Sequence, residues 1–330
     1  MATDRARLSG RVPRPYVCVR DNVRPTGYHL YVRTRYLAAV LVAASLFGAC
    51  SGDDEAPQVV VPPTATSTTS GTETATPVPP VPSSEPITAP FELPVVMYHD
   101  VSDLPPDDIY RAASNVLPAD FSAQLDYLQC AGYTTITMSQ LFEAIEGRGA
   151  LPEKAIVLTF DDGYGDHYTQ AFPILKQHAM TGAFAIITGY VEGGGDYMNW
   201  AQIKEMSDAG MEVMSHTQTH IDLNTSDDGS VEEQLRGSRA SLEEHTGRPV
   251  EFFVYPSGEP FRSGTEERQA QVVSMLEEAG YHGALLAGPS SMTQDPAQPF
   301  ALNRLRVGEG TDLGTFAALV GGPAPEACAE

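Results

Sequence analysis

Basic residues are scarce in this 330-residue chain, with 20 Lys and Arg against 43 Asp and Glu and a formal net charge of −23. Nothing in that balance would neutralise a phosphate backbone, so nucleic acid is excluded as a partner. The acidic surplus fits a well-hydrated surface and a neutral or cationic substrate. Cysteine is nearly absent too: Cys18, Cys50, Cys130 and Cys328 form no CxxC pair, so a structural zinc knuckle is not supported. No apolar run reaches the roughly 20 residues of a membrane span, and no internal repeat is visible. What is present is globular, with 42% hydrophobic and 19% charged residues. The length allows one large or two ordinary domains. The 26 prolines and 29 glycines point to an unfolded stretch as well.

The N-terminal part reads as an address and a tether. Leu37–Ala49 is uncharged and mostly apolar, follows Arg33 and Arg35, and has 13 residues, the pattern of an export signal. It ends in Gly48-Ala49-Cys50-Ser51, which resembles a bacterial lipobox with Phe47 where leucine is usual. Residues 32–50 are therefore expected to be a signal peptide with Cys50 lipidated, the alternative being a plain signal cut near Ala49. Residues 1–31 are arginine-rich and unpatterned, and are expected to be an untranslated extension upstream of a start near Val32. Between Ser51 and Pro90 there is no Lys, Arg, Leu or aromatic residue, so residues 51–90 should form an extended spacer. The protein is thus expected to be exported, lipid-anchored to the outer face of a bacterial membrane or secreted, and monomeric. That leaves Cys130 and Cys328 in an oxidising compartment, as a candidate disulfide or as two separate thiols.

From Leu93 onward strands and helices alternate. Ala155–Phe160 is a β-branched strand ending in Asp161-Asp162-Gly163, and Met211–Met214 leads into Ser215-His216. Phe252–Tyr255 leads into Pro256-Ser257. Helical patterns cover Ala119–Ala131, Ser139–Ile145 with a Ser N-cap, Tyr168–His178, Ala201–Ala209, Val231–His245 and Arg268–Ala279. Such alternation predicts an α/β fold with a parallel sheet, open or closed into a barrel. Sites in these folds gather where the strands end, so the three polar segments should converge.

His216 and His220 are four residues apart, which on a helical turn would put both imidazoles on one side. With Asp162 they would make a two-histidine, one-carboxylate face that leaves coordination positions open. Asp161, pointing elsewhere from the same strand end, could take a proton from water. Taken singly, an HxxxH is common and Asp-Asp-Gly is an ordinary turn.

Together, Thr159-Phe160-Asp161-Asp162-Gly163 and Ser215-His216-Thr217-Gln218-Thr219-His220 resemble the polysaccharide deacetylases of carbohydrate esterase family four. The likeness runs from about Leu93 to Val320 and includes Met97-Tyr98-His99 and Met198-Asn199-Trp200. It implies an incomplete (β/α)7-type barrel over residues 91–322, with 323–330 as a tail. It further implies that Asp161 is the general base, and that Asp162, His216 and His220 bind a divalent metal, Zn2+ with Co2+ or Ni2+ as alternatives.

Two family features are missing. No arginine precedes Tyr255-Pro256-Ser257, where the Ser257 N–H could donate to an oxyanion and Tyr255 and Pro256 could meet the sugar. No histidine follows His282 to serve as acid. The segment Leu302–Val307 looks like the subgroup of exported deacetylases acting on poly-N-acetylglucosamine, which often carry an arginine there. Arg304 is therefore expected to orient Asp161, with Arg306 as the alternative. The acid is left among His99, a water and Asp161 itself. Trp200, the single tryptophan, either lines a sugar subsite or packs behind the metal site. The function expected is removal of N-acetyl groups from an N-acetylglucosamine-containing cell-surface or cell-wall polysaccharide. The alternatives are an O-acetyl esterase on xylan-type glycans and a tethered, non-catalytic carbohydrate-binding protein.

Overall fold

A computed structural model of the chain describes residues 85–103, 109–194, 196–288 and 290–328. The extension expected at 1–31, the signal at 32–50 with Cys50, and the spacer up to residue 84 lie outside the described residues. In chain order the elements are β1 (Phe91–Glu92), β2 (Val95–Tyr98), α1 (Ile109–Ser114), α2 (Pro118–Cys130), β3 (Thr134–Thr135), α3 (Met138–Ile145) and β4 (Ala155–Phe160). A π-helical turn, His167–Ala171, leads into α4 (Phe172–Gln177), followed by β5 (Ala183–Ile186), α5 (Trp200–Asp208), β6 (Glu212–Ser215) and α6 (Asp228–Thr246). The chain closes with β7 (Phe252–Val254), α7 (Glu266–Ala279), β8 (Gly283–Leu285), β9 (Thr293–Gln294), β10 (Leu305–Arg306) and α8 (Leu313–Leu319).

The N-cap of helix α3 lies two residues earlier than its sequence suggests. Thr137, not Ser139, is the N-cap, in a reciprocal capping box with Gln140. Glu212 reinforces that end by accepting the N–H groups of Met138 and Ser139 at 2.6 and 3.0 Å. The helix expected over Tyr168–His178 is a π turn followed by six α-helical residues.

Seven strands lie side by side in the order β10-β2-β4-β5-β6-β7-β8, every pairing parallel, with β3 added beside β4. A further parallel bridge, Leu285 to Leu302, draws the two ends of the sheet together. The result is the incomplete seven-strand α/β barrel. A separate antiparallel pair, β1 with β9, was not foreseen; each strand has only two residues, too few for a pattern.

Strand alternation sorts the side chains into two cores. Val95, Val157, Ala183, Ala185, Met214, Phe252, Val254, Leu285 and Leu302 fill the barrel interior. Their neighbours Val96, Ile156, Leu158, Phe160, Phe184 and Phe253 face the helices. Within that outer layer Phe160 stacks on Tyr98 and Phe184 at 5.2 and 4.6 Å, and Phe121 of α2 meets it edge-on. Burying each such ring contributes about 2–3 kcal/mol. A disulfide between Cys130 and Cys328, with Cα atoms 5.7 Å apart, ties α2 to the last described residues.

Candidate active site

The interior register of β4 decides where Asp161 goes. Val157 and Thr159 point into the barrel, so Asp161, two residues on, does the same and is 2% exposed. Asp162 should then point outward among the helices. It does not, because the strand ends there: Asp162 takes φ 78° and Gly163 φ 81°. The turn swings the second carboxylate back over the barrel mouth. A left-handed aspartate costs about 1 kcal/mol, a strain that stands out at a strand end.

On β6 the same alternation points Met214 and His216 inward, while Ser215 faces α6 and bonds Ser238 at 2.7 Å. His220 does not reach the site on a helical turn as its spacing suggests. Residues 217–220 form a turn with Thr217 at φ 68° and His220 at φ 57°. Thr217 Oγ1 accepts the His220 N–H at 2.8 Å. Gln234 of α6 holds the outside of this turn, its Oε1 accepting the N–H groups of Gln218 and Thr219, both at 2.9 Å. Gly237 leaves room for the Gln218 side chain: a Cβ there would sit 1.6 Å from Gln218 Nε2.

These two turns bring Asp162, His216 and His220 together, one donor atom from each lying within 4.8 Å of the others. The His216 and His220 Nε2 atoms are 3.4 and 3.8 Å from Asp162 Oδ1. His216 donates its other ring N–H, Nδ1, to the Val254 carbonyl at 2.7 Å, which leaves Nε2 with its lone pair toward the cluster when the ring is neutral. Burial opposes ionisation of Asp162, but the hydrogen bond and charge of His216 outweigh it and hold the carboxyl far below its usual range. Burial also opposes charge on His216, and the Asp162 bond again wins, raising its pKa. Burial and the neighbouring His216 charge lower the pKa of His220, favouring its neutral, ligating form. An ionised carboxylate and two imidazoles fit a divalent metal with further positions open.

Asp161 has a different partner. Arg304, fully buried, forks onto it with Nη1 to Oδ1 at 2.7 Å and Nη2 to Oδ2 at 2.8 Å. Its Nε donates to the Leu286 carbonyl at 2.6 Å, and Nη1 also reaches Thr159 Oγ1 at 3.1 Å. Burial would raise the Asp161 pKa, yet the Arg304 charge and hydrogen bonds keep it below the ordinary carboxylate value. Arg306, two residues on, instead lines the cavity, its Nη2 bonded to Ser114 Oγ at 2.7 Å.

That cavity has a volume of about 800 Å³, and the five residues Asp161, Asp162, His216, His220 and His99 share it. His99 Nε2 stands 4.0 Å from Asp161 Oδ2. One wall was not foreseen. Asp100 pairs with Arg111 at 2.5 Å, and the Arg111 guanidinium lies 3.9 Å over the Tyr164 ring. Behind them Asp100 Oδ2 and Asp166 Oδ1 are buried and lack a hydrogen-bond donor, while Asp166 accepts the Val101 N–H. Burial and the adjoining Asp100 push Asp166 up to about 8, so the two carboxyl groups share a proton. Asp100 could have been suspected from its place beside His99, but Arg111 sits in a short helix whose sequence gives no signal.

Of the three expected sugar contacts, Trp200 and Pro256 are corrected. Trp200 does not line the cavity; it stacks on His245 of α6, centroids 3.8 Å apart, on the helical layer. Tyr255 follows Phe253 on the helix-facing side of β7, is fully buried, and donates its hydroxyl to the Phe300 carbonyl at 3.0 Å. It nevertheless lines the cavity, as its place in the sequence suggests. Pro256 is buried and absent from the lining. Ser257 does line the cavity, in a left-handed conformation with φ 55°.

An incomplete parallel barrel carries, at its mouth, a two-histidine, one-aspartate donor set that could hold a divalent metal, beside an arginine-locked aspartate. A family model described as polysaccharide deacetylase matches residues 148–284. The Bacillus subtilis polysaccharide-deacetylase candidate YxkH is 26% identical over 231 residues, covering 70% of this chain and 77% of that protein. The Escherichia coli poly-beta-1,6-N-acetyl-D-glucosamine N-deacetylase is 30% identical over 152 residues, 41% of this chain but only 22% of that enzyme. Among solved structures, the polysaccharide deacetylase BC0361 from Bacillus cereus superposes with TM-score 0.60 at 29% identity, covering 70% of this chain and 69% of the other. Over residues 148–284 the chain matches the polysaccharide deacetylase family, and these likenesses extend the shared fold to about 70% of its length.

Proposed function

We propose that this protein removes N-acetyl groups from an N-acetylglucosamine-containing polysaccharide of the cell surface or cell wall. It does so from the outer face of a bacterial membrane, to which Cys50 and the spacer tether it. The observation that carries the reading is the division of labour between adjacent carboxylates: Asp162 faces two imidazoles, while Asp161 is held by Arg304.

Asp162, His216 and His220 would hold the cation, with zinc the best match to one carboxylate and two imidazoles. When bound, the cation polarises the acetamide carbonyl and makes a water more acidic. Asp161, kept ionised by Arg304, accepts the proton of the attacking water on a lone pair the guanidinium does not use. The Ser257 N–H, at the cavity wall, is offered to the developing oxyanion. Asp161 then carries its proton to the leaving amine, and His99, 4.0 Å away, is a second group able to deliver one.

The test is acetate release from poly-β-1,6-N-acetylglucosamine, chitin oligomers, peptidoglycan and acetylxylan, with and without chelator. Release from the amide substrates, abolished by chelator and restored by zinc, is expected. Asp161→Asn should cut the rate by about 100-fold or more while leaving metal binding intact. Release from acetylxylan alone would make the protein an O-acetyl esterase. Polymer binding without acetate release under any metal would make it a binding protein.

A further inference from the structure

The chain as a whole is acidic, which points to neutral or cationic substrates, but the cleft is built the other way. Among the described residues, every arginine except Arg248, Arg262 and Arg306 lies within ion-pair distance of a carboxylate. Two of those three, Arg262 and Arg306, line the catalytic cavity. In a chain with 43 acidic residues, an arginine without a carboxylate partner is the exception, and here the exceptions gather at the site.

The acids of the same cavity do not answer these charges. Asp100 is paired with Arg111, Asp161 with Arg304, and Asp162 faces His216 and His220. The Arg306 guanidinium donates to a neutral hydroxyl, Ser114 Oγ at 2.7 Å from Nη2, while its backbone N–H reaches Ser290 Oγ at 3.5 Å. Its charge and remaining donors stay available. Arg262 lies on the turn that follows Ser257, its backbone N–H bonded to the Gly258 carbonyl at 2.9 Å. Ala287 and Gly288, small residues just past β8, line the cavity with them. Both guanidinium groups are exposed to a ligand entering the cleft.

We propose that Arg262 and Arg306 form an anion subsite of the cleft, so that the preferred substrate is an acidic glycan bearing a carboxylate or phosphodiester next to the N-acetylated sugar. This rests on the deacetylase reading of the same site and names its substrate class. A planar guanidinium presents donors in the fork that carboxylate and phosphate oxygens match, and it gains nothing comparable from a neutral sugar. The negative surface elsewhere does not forbid an acidic polymer, because screening at physiological salt confines repulsion to roughly 8 Å.

Three oligosaccharides of equal length test the proposal on the metal-loaded full chain: neutral N-acetylglucosamine, one with a lactyl carboxylate, and one with a phosphodiester. The kcat/KM for at least one acidic oligosaccharide should exceed the neutral value by about tenfold, and the advantage should shrink as salt rises. The arm that gains identifies which anion is read. In Arg262→Gln/Arg306→Gln the acidic-to-neutral ratio should fall to near one. An equal ratio in the wild type, or a ratio untouched in the double variant, overturns the subsite. Calorimetric binding of the same three ligands keeps the two readings apart. Acidic preference in binding without acetate release retains the subsite and sinks the deacetylase; acetate release without preference in either measurement does the reverse.

Discussion

Arg304 and Asp161 meet with both charges buried, Arg304 at 0% and Asp161 at 2% exposure. Such a pair is costly to desolvate, and removing one partner is worse than removing both. Arg304→Gln should therefore destabilise the protein by about 3–5 kcal/mol, because it strands the Asp161 carboxylate in the barrel. Asp161→Asn/Arg304→Gln should recover much of that loss while remaining inactive. Urea unfolding of the two single variants and the double variant, read as a thermodynamic cycle, measures the coupling. Additive single effects would show that the pair is not a unit. A second residue-scale outcome concerns pH. Asp166 is held above its unfolded value of 3.8, up to about 8, so the folded protein keeps a proton that the unfolded chain loses. Its contribution is complete below about pH 4 and is lost as pH rises through 8. Asp166→Asn, which supplies a permanent donor to Asp100, should flatten the stability profile across that window. It should also be the more stable form at pH 8, by on the order of 1–2 kcal/mol. A steeper profile in the variant would contradict the shared proton.

At the scale of elements, the ligand turn depends on α6. Gln234 accepts two of its N–H groups, and Ser215 and Gln218 also fasten to that helix. Gln234→Ala should lower metal affinity by about 10–100-fold, since groups behind a metal site set the orientation of its ligands. Zinc titration with a competing chelator measures this, and circular dichroism should show the α6 helix retained. An unchanged affinity would mean that His220 is placed by Thr217 alone. The same logic covers the strained residues. Among the described residues six non-glycines have positive φ, and Asp162, Thr217, His220 and Ser257 are four of them. Strain gathers where side chains must leave a strand end in a direction alternation would not allow.

For the whole molecule, the barrel is closed by contacts between its beginning and its end. β10 pairs with β2, β9 with β1, and Cys130 joins Cys328 across 198 residues of sequence. A bridge over so long a loop restricts the unfolded chain strongly, and losing one of this kind typically costs 2–5 kcal/mol, here roughly the upper half of that range. Cys130→Ser/Cys328→Ser should unfold at lower urea concentration, yet release acetate at a rate within about twofold of the parent, because the bridge lies on the helical layer away from the cavity. A matching loss of activity under native conditions would tie the bridge to the site. Within the expected tail, the described residues carry a short 3-10 turn, Pro325–Cys328, whose last residue packs on the core.

Much of this was legible in the residues alone. The strand–helix alternation, the segments that converge at strand ends and the donor types all follow from local pattern, because parallel strands present their C-terminal ends on one face. Elements of two residues, such as β1 and β9, left no period to read. Nor did the pattern reveal which way a residue leaves a strand. Trp200 looks like a sugar platform in sequence, and packing on His245 of α6 puts it on the helical layer instead. Residue types and their order along β4 and β6 are local facts, and they carried the donor set. The seat of Arg304 between Leu286 and Asp161, 18 and 143 residues away, and the common cavity of Arg262 and Arg306 depend on separate chain segments being folded together. No local pattern encodes those meetings, because their energies exist only once the barrel has excluded water from between them.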